Sequence, residues 1–408
     1  MSKIIKILLL ILKLTTKIIK NLFFIPIILI LTIINFFFKF NFIIISSERI
    51  GPFITYTFGL LLFKKLNKNK KIFAFNNSLI CNKELFSLFE KRIKIYSANI
   101  IIRSFLESLK FWKSSLLEPN GKYGFFLTPN LWDKKNNLII EARNELRNLL
   151  KNDLVNFKNF FPVKNFNLDK YICIHNRDEN YLKNLISANI EKHHSYRNFD
   201  ISELHSSINN FIKKGYSVIR VGSEIKKKSD LKDIKFFDYP ACKDRSEGLD
   251  LFVLANCRAY FGSDSGIGDV PYTFGKPKFM INFLPTILNI TTFYVESPIT
   301  LSLLKDDSSG KLIKFENVFK NYSFISSSLE FKKRGLSVVK NSQDEIYNFS
   351  NEVLAYLDKN FELNKEDKKI QDKFWELFFN NIDKSKIGKF RPIISPYFLK
   401  KYNHLIFN

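Results

Sequence analysis

Polar residues suited to binding a phosphorylated ligand stand at the ends of three apolar runs. Arginine recognises phosphate through paired hydrogen bonds, small residues let the backbone approach a diphosphate, and a carboxylate can bond a sugar hydroxyl. Because the carboxyl ends of parallel strands meet at one edge of a sheet, we expect the three groups to lie together. The predicted binding residues are His175, Arg177, Arg220, Gly222, Ser263, Asp264, Ser265 and Gly266.

Carboxylate and imidazole groups near such an edge could also take up a proton during catalysis. Asp178 and His175 belong to the first polar group and are two candidates. Glu48 is a third, since it lies beside Arg49 in a turn that precedes an apolar stretch. Two solvated turn charges are the alternative interpretation of that pair. The sequence does not choose among the three bases.

Several common motifs are missing from the sequence. No D-x-D occurs, which argues against a Mg²⁺- or Mn²⁺-dependent sugar transferase. The run GIGDVP fails the dinucleotide fingerprint G-x-G-x-x-G because Pro271 occupies its last position, and neither GxxxxGK[ST] nor GxSxG is present. A metal site built from His175, His193 and His194 lacks carboxylate or cysteine spacing, so it is a weaker hypothesis than a phosphate site. We therefore expect neither a metal nor another cofactor.

The composition bounds the class of protein. With 408 residues and 46% hydrophobic residues, the chain is long enough for two domains with real cores. The formal net charge is +25, but Lys, Asn, Ile and Phe are enriched together, as in a protein from an AT-rich genome. No basic run interleaved with aromatic residues appears, so nucleic acid is not an expected partner. The four cysteines show no CxxC spacing and indicate a reduced, metal-free protein.

Residues 1–41 form a basic, hydrophobic segment that predicts membrane association. Lysines alternate with apolar residues at first, and a nearly uninterrupted apolar run follows from Leu22 to Phe38. This run is at the short end of a bilayer span, which needs ~20 residues. No small-residue cleavage site follows it, as a signal peptide would require. An interfacial or re-entrant anchor is favoured, a single signal-anchor is the competitor, and a buried core helix fits less well.

The remaining chain is predicted to be α/β, with two Rossmann-like doubly wound domains. Residues 42–165 would form the first, beginning with the strand Phe42–Ile45 and a helix in which Pro52 takes the first position. Residues 166–360 alternate apolar strands with amphipathic helices, which is typical of a parallel sheet covered on both faces. Capping boxes are expected at Asp200/Glu203 and Ser342/Glu345. Residues 361–408 would form a helical tail that packs back on the first domain.

Further predicted elements follow from the same patterns. Strands are expected at 71–75, 123–127, 171–174, 216–221, 234–237, 259–262 and 278–283, and helices at 83–91, 138–150 and 269–274.

Five stretches of this sequence resemble a family of bacterial glycosyltransferases from surface-polysaccharide loci. They are YICIHNRDENYL from Tyr171, HHSYRN from His193, GYSVIRVG from Gly215, FGSDSGIGDVPYTFGKP from Phe261 and NSQDEI from Asn341. More distantly, they resemble the donor-binding motifs of GDP-fucose-using transferases and heptosyltransferases of the GT-B type. One departure is Pro52, where family members often have a histidine after R-I-G; an acceptor or catalytic role at that turn is therefore in doubt.

The resemblance implies two Rossmann-like domains that face each other across a cleft, with a nucleotide sugar held mainly by the second. Arg177 would contact the diphosphate, His175 would support the same loop, and Ser263 to Gly266 would hold phosphate or sugar. The expected protein is a metal-independent hexosyl- or fucosyl-type glycosyltransferase at the cytoplasmic face of the inner membrane. Its acceptor would be a cell-surface glycan such as lipopolysaccharide, or a lipid-linked glycan. The alternatives are a non-catalytic nucleotide- or glycan-binding module and another nucleotide-sugar enzyme, such as a pyruvyl transferase or an epimerase.

Overall fold

The structure is a computed structural model, and it contains two compact units. It describes residues 3–76, 79–117, 136–151, 158–163, 166–178, 180, 194–286, 291, 296–384, 387–388 and 390–407. Unit 1 comprises Met1–Leu127 and Glu141–Leu150, and unit 2 comprises Thr128–Ile140 and Lys151–Asn408. The predicted strand 123–127 and the histidine His193 lie outside the described residues.

Helices and strands alternate along most of the described chain. The helices are α1 Lys3–Phe23, α2 Ile25–Phe38, α3 Ile50–Leu66, α4 Lys83–Ile93, α5 Ile100–Phe111, α6 Asn136–Lys151, α7 His205–Lys213, α8 Glu247–Asn256, α9 Asp269–Thr273, α10 Phe315–Tyr322, α11 Ser328–Lys333, α12 Gln343–Leu357, α13 Lys365–Asn381 and α14 Pro396–Lys401. The strands are β1 Phe40–Ile45, β2 Lys71–Asn76, β3 Ile95–Ser97, β4 Tyr171–His175, β5 Ser217–Arg220, β6 Phe236–Asp238, β7 Ala259–Ser263, β8 Lys278–Phe283, β9 Ile299–Leu301, β10 Leu303–Asp306 and β11 Leu336–Val339. The predicted α/β fold class is confirmed.

Unit 1 contains a parallel sheet in which β1, β2 and β3 lie side by side in chain order. One face of this sheet carries phenylalanines, including Phe40 and Phe42, whose rings lie 5.6 Å apart. Phe24 and Ile28 at the start of α2 pack into the same cluster together with Leu106 and Leu109 of α5. The start of α2 therefore belongs to the core of unit 1.

Unit 2 is built around a six-stranded parallel sheet with the order β6-β5-β4-β7-β8-β9. The chain starts in the middle at β4, moves outward to β6, and then crosses back to β7 on the other side of β4. In such doubly wound sheets a crevice opens where the strand order reverses, at the carboxyl ends of the two central strands. Here that switch point lies between β4 and β7, which pair from Ile172↔Ala259 to His175↔Gly262.

Helices cover both faces of the second sheet. On one face, α7 and α12 pack on a buried cluster that includes Ile174, Phe261 and Phe349. On the other face, α8 lies against β4, since the Tyr171 hydroxyl donates to the Val253 carbonyl at 2.7 Å. The doubly wound arrangement predicted for the second domain is therefore present, and the strands are buried because both faces are covered.

The local signals at helix ends hold with two adjustments. Asp200/Glu203 and Ser342/Glu345 both form capping boxes, although Ile201–Leu204 is a 3₁₀ turn that leads into α7. Gly275 follows α9 with a φ of +75°, as expected for a glycine beyond a helix end. In contrast, α3 begins at Ile50, so Pro52 occupies its third position and not its first.

The C-terminal tail packs on a core within unit 2. Phe374 of α13 lies between Phe315 and Phe319 of α10, with ring centroids 5.1 and 5.5 Å away. The Tyr402 hydroxyl donates to Glu345 at 2.5 Å and so joins the tail to the start of α12. Packing of this tail on the first domain, and the domain limits at 41, 165 and 360, stay predictions.

Candidate functional site

The candidate site is the carboxyl edge of β4, β5 and β7, which we call the switch-point edge. It consists of residues 175–178, 180, 220–228 and 262–268, together with the segment 194–199. The strand order brings the three predicted polar groups to this edge. His175 ends β4 and is followed by Arg177 and Asp178, Arg220 and Gly222 stand at the end of β5, and Ser263 ends β7 and is followed by residues 264–266.

A glycine allows β4 and β7 to approach at the edge. A Cβ atom on Gly262 would lie 2.2 Å from the carbonyl oxygen of His175 and 2.9 Å from its nitrogen. No side chain fits at those distances, so Gly262 is required for the pairing that places His175 beside Ser263. Sequence reasoning noted this glycine only as the end of a strand and missed its role. The apolar run AYF before a single glycine and a polar loop was the available signal.

His175 is held as a neutral ring. Its Nδ1 lies 2.8 Å from the Val221 carbonyl, which can only accept, so Nδ1 carries the proton and Nε2 is left as an acceptor. Burial lowers the pKa of His175 from its ordinary value of 6.5 to about 4, with the bond to Val221 opposing and the charge of Arg220 adding to the decrease. At neutral pH this ring can accept a hydrogen bond from a hydroxyl but adds no positive charge.

Arg177 is partly exposed and also ties the edge together. Its guanidinium NH1 donates to the His194 carbonyl at 2.7 Å, and its own carbonyl accepts from the Phe199 amide at 3.1 Å. The segment 194–199 is thereby fixed beside the loop after β4. The position agrees with the predicted role toward a phosphate, and that role stays a prediction.

The same segment supplies a cation that sequence reasoning did not assign. Arg197 NH1 lies 3.7 Å from Asp264 Oδ2, and both side chains are about a quarter exposed, at 24% and 26%. Burial alone would lower the pKa of Arg197, but Asp264 and Tyr196 outweigh it and raise the pKa. The stretch HHSYRN contains this arginine, so the signal was an arginine within an already noted motif. Arg197 joins the loops after β4 and β7.

Asp178 connects the loop after β4 to the loop after β5 through hydrogen bonds. Its carboxylate accepts from the Asn180 amide at 3.0 Å and from the Lys226 amide at 2.9 Å. The second bond connects the loop after β4 to the loop after β5. These are the contacts of a positioning residue, since both oxygens already accept hydrogen bonds. A role as the general base stays a prediction.

Arg220 lies inside the protein and not in the open edge. Its side chain is 1% exposed, and NH1 bonds Asp238 of the neighbouring strand at 3.2 Å while Nε donates to Asn176 at 3.0 Å. Arg220 and Asp238 are register partners at the ends of β5 and β6. These contacts support a structural role for Arg220, and donor binding by this residue stays a prediction.

The loop after β7 contains one unsatisfied group and one tight glycine. Ser263 is 1% exposed, and its hydroxyl has no hydrogen-bond partner within the described part of the chain. A ligand group or a water would satisfy it. Ser265 and Gly266 are partly exposed. Below the loop, Gly268 leaves room for Lys278, whose ammonium pairs with Asp269 at 2.8 Å.

Gly222 and Glu48 complete the predicted residues. Gly222 has a φ of +151° and lies against His175, since a Cβ there would be 3.7 Å from the imidazole. Glu48 belongs to unit 1, where its carboxylate accepts a hydrogen bond from the Ser46 hydroxyl at 2.6 Å. The other predicted residues belong to unit 2, and the contribution of Glu48 stays a prediction.

The solved structures that align with this chain include three glycosyltransferases. E. coli ADP-heptose lps heptosyltransferase II is 10% identical with a TM-score of 0.33, and the alignment covers 59% of this chain and 84% of that one. The iron-containing dodecameric glycosyltransferase TibC from enterotoxigenic E. coli H10407 is 11% identical with a TM-score of 0.34, over 63% and 61%. A glycosyl transferase family 9 protein from Veillonella parvula DSM 2008 is 11% identical with a TM-score of 0.42, over 73% and 96%.

No protein-family model and no curated protein matches the chain. Every TM-score above is below 0.5, so these similarities carry no argument about the activity of this chain.

Proposed function

We propose that this protein is a metal-independent glycosyltransferase that uses a nucleoside-diphosphate sugar. The observation that carries the proposal is the switch-point edge, where two partly exposed guanidinium groups flank a loop of small polar residues. Arg177 stands on one side of the switch point, and Arg197 reaches Asp264 on the other. A diphosphate suits such an edge because arginine stays charged and offers paired N–H groups.

Each residue of the edge has a proposed part in the reaction. The arginines bind the diphosphate and stabilise the negative charge that develops on it as the sugar leaves. Neutral His175 accepts a hydrogen bond from a ribose or sugar hydroxyl, and the unpartnered Ser263 hydroxyl bonds phosphate or sugar. The base that takes the acceptor proton is one of Asp178, His175 and Glu48. Asp178 is the weakest of these, because two backbone amides already occupy it.

The proposed acceptor is a cell-surface or lipid-linked glycan at the cytoplasmic face of the inner membrane. The support is the apolar helical segment Leu8–Phe38, which has a mean hydropathy of 2.4 in its most apolar window. A hexosyl or fucosyl donor is proposed from the resemblance of the donor-binding motifs.

A donor panel tests the proposal. Nucleoside-diphosphate sugars are offered to the full chain, with and without a lipid-linked glycan fraction, and release of nucleoside diphosphate is measured. Release from one donor, increased by acceptor, is expected. Binding of a nucleotide without turnover would indicate a non-catalytic module, and a modified but untransferred sugar would indicate another nucleotide-sugar enzyme.

Calorimetric titration with the matched nucleoside diphosphate tests the site. A charge-assisted hydrogen bond contributes ~1.5–3 kcal/mol, so Arg177→Ala should weaken binding at least about tenfold. Arg258→Ala is the matched control, since Arg258 is exposed directly before β7, at the amino edge of the sheet and opposite the switch-point edge. Unchanged affinity in a folded Arg177→Ala protein, with only a lower melting temperature, would contradict the proposal. It would show that Arg177 has a structural role, to which its bond with the His194 carbonyl contributes.

A further inference from the structure

The polar side of α1 faces inward, toward α5. Asn21 is 1% exposed, its side-chain oxygen accepts from the Ser108 hydroxyl at 2.7 Å, and its carbonyl accepts from the Trp112 indole at 3.1 Å. The adjacent Lys20 pairs with Glu107 of α5. An amphipathic helix of a soluble protein turns its apolar side to the core and its polar side to water. Helix α1 does the reverse over its last two turns.

The apolar side chains of α1 and α2 point outward in consequence. Of the thirty large hydrophobic side chains that are exposed in the described part of the chain, nineteen lie between Ile5 and Phe38. Only four of the thirty belong to unit 2. Soluble monomers rarely expose contiguous apolar patches larger than a few hundred Å², so this surface needs an apolar partner.

Charge identifies the partner as an anionic lipid surface. The first 47 residues contain six lysines and no acidic residue. Such lysines attract the headgroups of anionic lipids, while the apolar side chains between them enter the acyl region. Phe111 and Trp112 at the end of α5, each 42% exposed, extend the surface beside Lys17 and Asn21. Aromatic residues of this kind prefer the boundary between headgroups and acyl chains.

The attachment of α1 and α2 to unit 1 excludes a simple transmembrane span. The contacts with α5 and the sheet include residues from Lys17 to Leu31, in the middle of the helical segment. The fourteen helical residues before Lys17 reach only about 21 Å, and the seven after Leu31 reach about 11 Å. The hydrocarbon core is about 30 Å thick. Neither end of the segment is long enough to cross it.

We propose that unit 1 is monotopic: α1 and α2 lie in the plane of an anionic bilayer, and the end of α5 contributes to the same surface. The proposal concerns the membrane contact and does not depend on the transfer reaction, so it can fail while donor turnover persists, and the reverse.

Probe depth tests the orientation. Phe23, Ile30 and Phe37 are spaced by seven residues, so they share one side of the helical segment, and they are 71%, 57% and 71% exposed. Each is changed to cysteine in a Cys81→Ser/Cys242→Ser background, since the other two cysteines are buried. An environment-sensitive fluorophore is attached, and quenching by brominated lipids is measured in full-chain proteoliposomes. Three equal, shallow depths are expected. A probe at position 30 that lies deepest, near the bilayer centre, would overturn the in-plane orientation.

Vesicle flotation tests the surface. Binding should increase with the fraction of phosphatidylglycerol in phosphatidylcholine vesicles and decrease with added salt. Phe111→Glu should weaken it about tenfold or more, although residues 1–40 are intact, because it removes one inserted aromatic side chain. Phe324→Glu in unit 2, where the phenylalanine is 51% exposed, is the matched control. Equal flotation of wild type and Phe111→Glu would show that α5 is not part of the membrane-binding surface. No flotation of the wild type would overturn the whole proposal.

Discussion

At the scale of single residues, the protonation of His175 determines what the switch-point edge can bind. The ring donates through Nδ1 to Val221, and burial holds its pKa at about 4. A protonated ring would add a third positive charge beside Arg177 and Arg220. Because the ring is neutral at pH 7, the edge combines cationic groups for phosphate with one uncharged acceptor for a hydroxyl.

This lowered pKa predicts an acid-dependent loss of stability. Between pH 6.5 and about 4, the unfolded chain binds a proton at His175 that the folded chain does not, so the free energy of unfolding falls as the pH falls. From pH 7 to pH 5 the wild type should lose about 2 kcal/mol more than His175→Asn, whose amide can still donate to Val221. Urea unfolding of the detergent-solubilised chain at both pH values measures it. An equal loss in the variant would show that the ring titrates near its ordinary pKa.

The residues of the edge differ in how far the sequence could predict them. His175 and Ser263 were predictable because each ends a continuous apolar run, and such runs become central parallel strands. Arg220 also ends a strand, but its side chain lies on a covered face and pairs with Asp238, the register partner one strand away. That pairing depends on strand order, which cannot be read from the sequence. Arg197 was missed for a similar reason. Its contact with Asp264, in the loop after β7, depends on tertiary structure that the sequence does not give.

At the scale of elements, the pairing of β4 with β7 requires a residue without a side chain at Gly262. Gly262→Ala should lower the free energy of unfolding by about 3 kcal/mol, because its Cβ would overlap the His175 carbonyl at 2.2 Å and backbone would have to move. Gly310→Ala is the comparison. Its Cβ would enter open space, and only its φ of +67° opposes the change, at about 1 kcal/mol. Thermal unfolding of both variants should separate the two effects, and equal losses would mean that the strands can move apart easily.

The prediction of strands depended on apolar runs in the sequence. Such runs gave the strands β4 to β8, including the short strands β5 and β6, whereas the equally short β3, β9, β10 and β11 were not predicted. A three-residue strand carries no periodicity. It forms because a neighbouring strand offers free backbone groups, so it depends on tertiary contacts.

At the scale of the whole molecule, the C-terminal tail is a structural part of unit 2. Phe374 is 2% exposed and contacts the rings of Phe315 and Phe319. Phe374→Ala should destabilise unit 2 by about 3–5 kcal/mol, the cost of removing a buried phenylalanine. Lys369→Ala, on the exposed side of the same helix, should change little. Thermal unfolding measures the stability of both variants. A small effect of Phe374→Ala would mean that the tail contributes little to the stability of unit 2.

The absence of a metal requirement is also a prediction for the whole protein. The described residues contain no group of three His, Cys, Asp or Glu side chains that could hold a metal ion, and His193 lies outside them. Donor turnover should therefore survive EDTA and should not increase with added Mg²⁺ or Mn²⁺. Loss of turnover on chelation, restored by either ion, would contradict this prediction. It would favour the alternative hypothesis of a metal site formed by His175, His193 and His194.

The central place of β4 in the second sheet has a consequence for synthesis of the protein. On one side β4 pairs with β5, but its neighbour on the other side is β7, which leaves the ribosome only after β5, β6 and α8. During that interval one edge of the apolar run Tyr171–Ile174 has unpaired backbone groups, and such edges recruit other chains. A nascent chain halted before Ala259 should therefore be prone to aggregation and should bind chaperones. Its release from the chaperones should follow in one step once β7 is available to pair with β4.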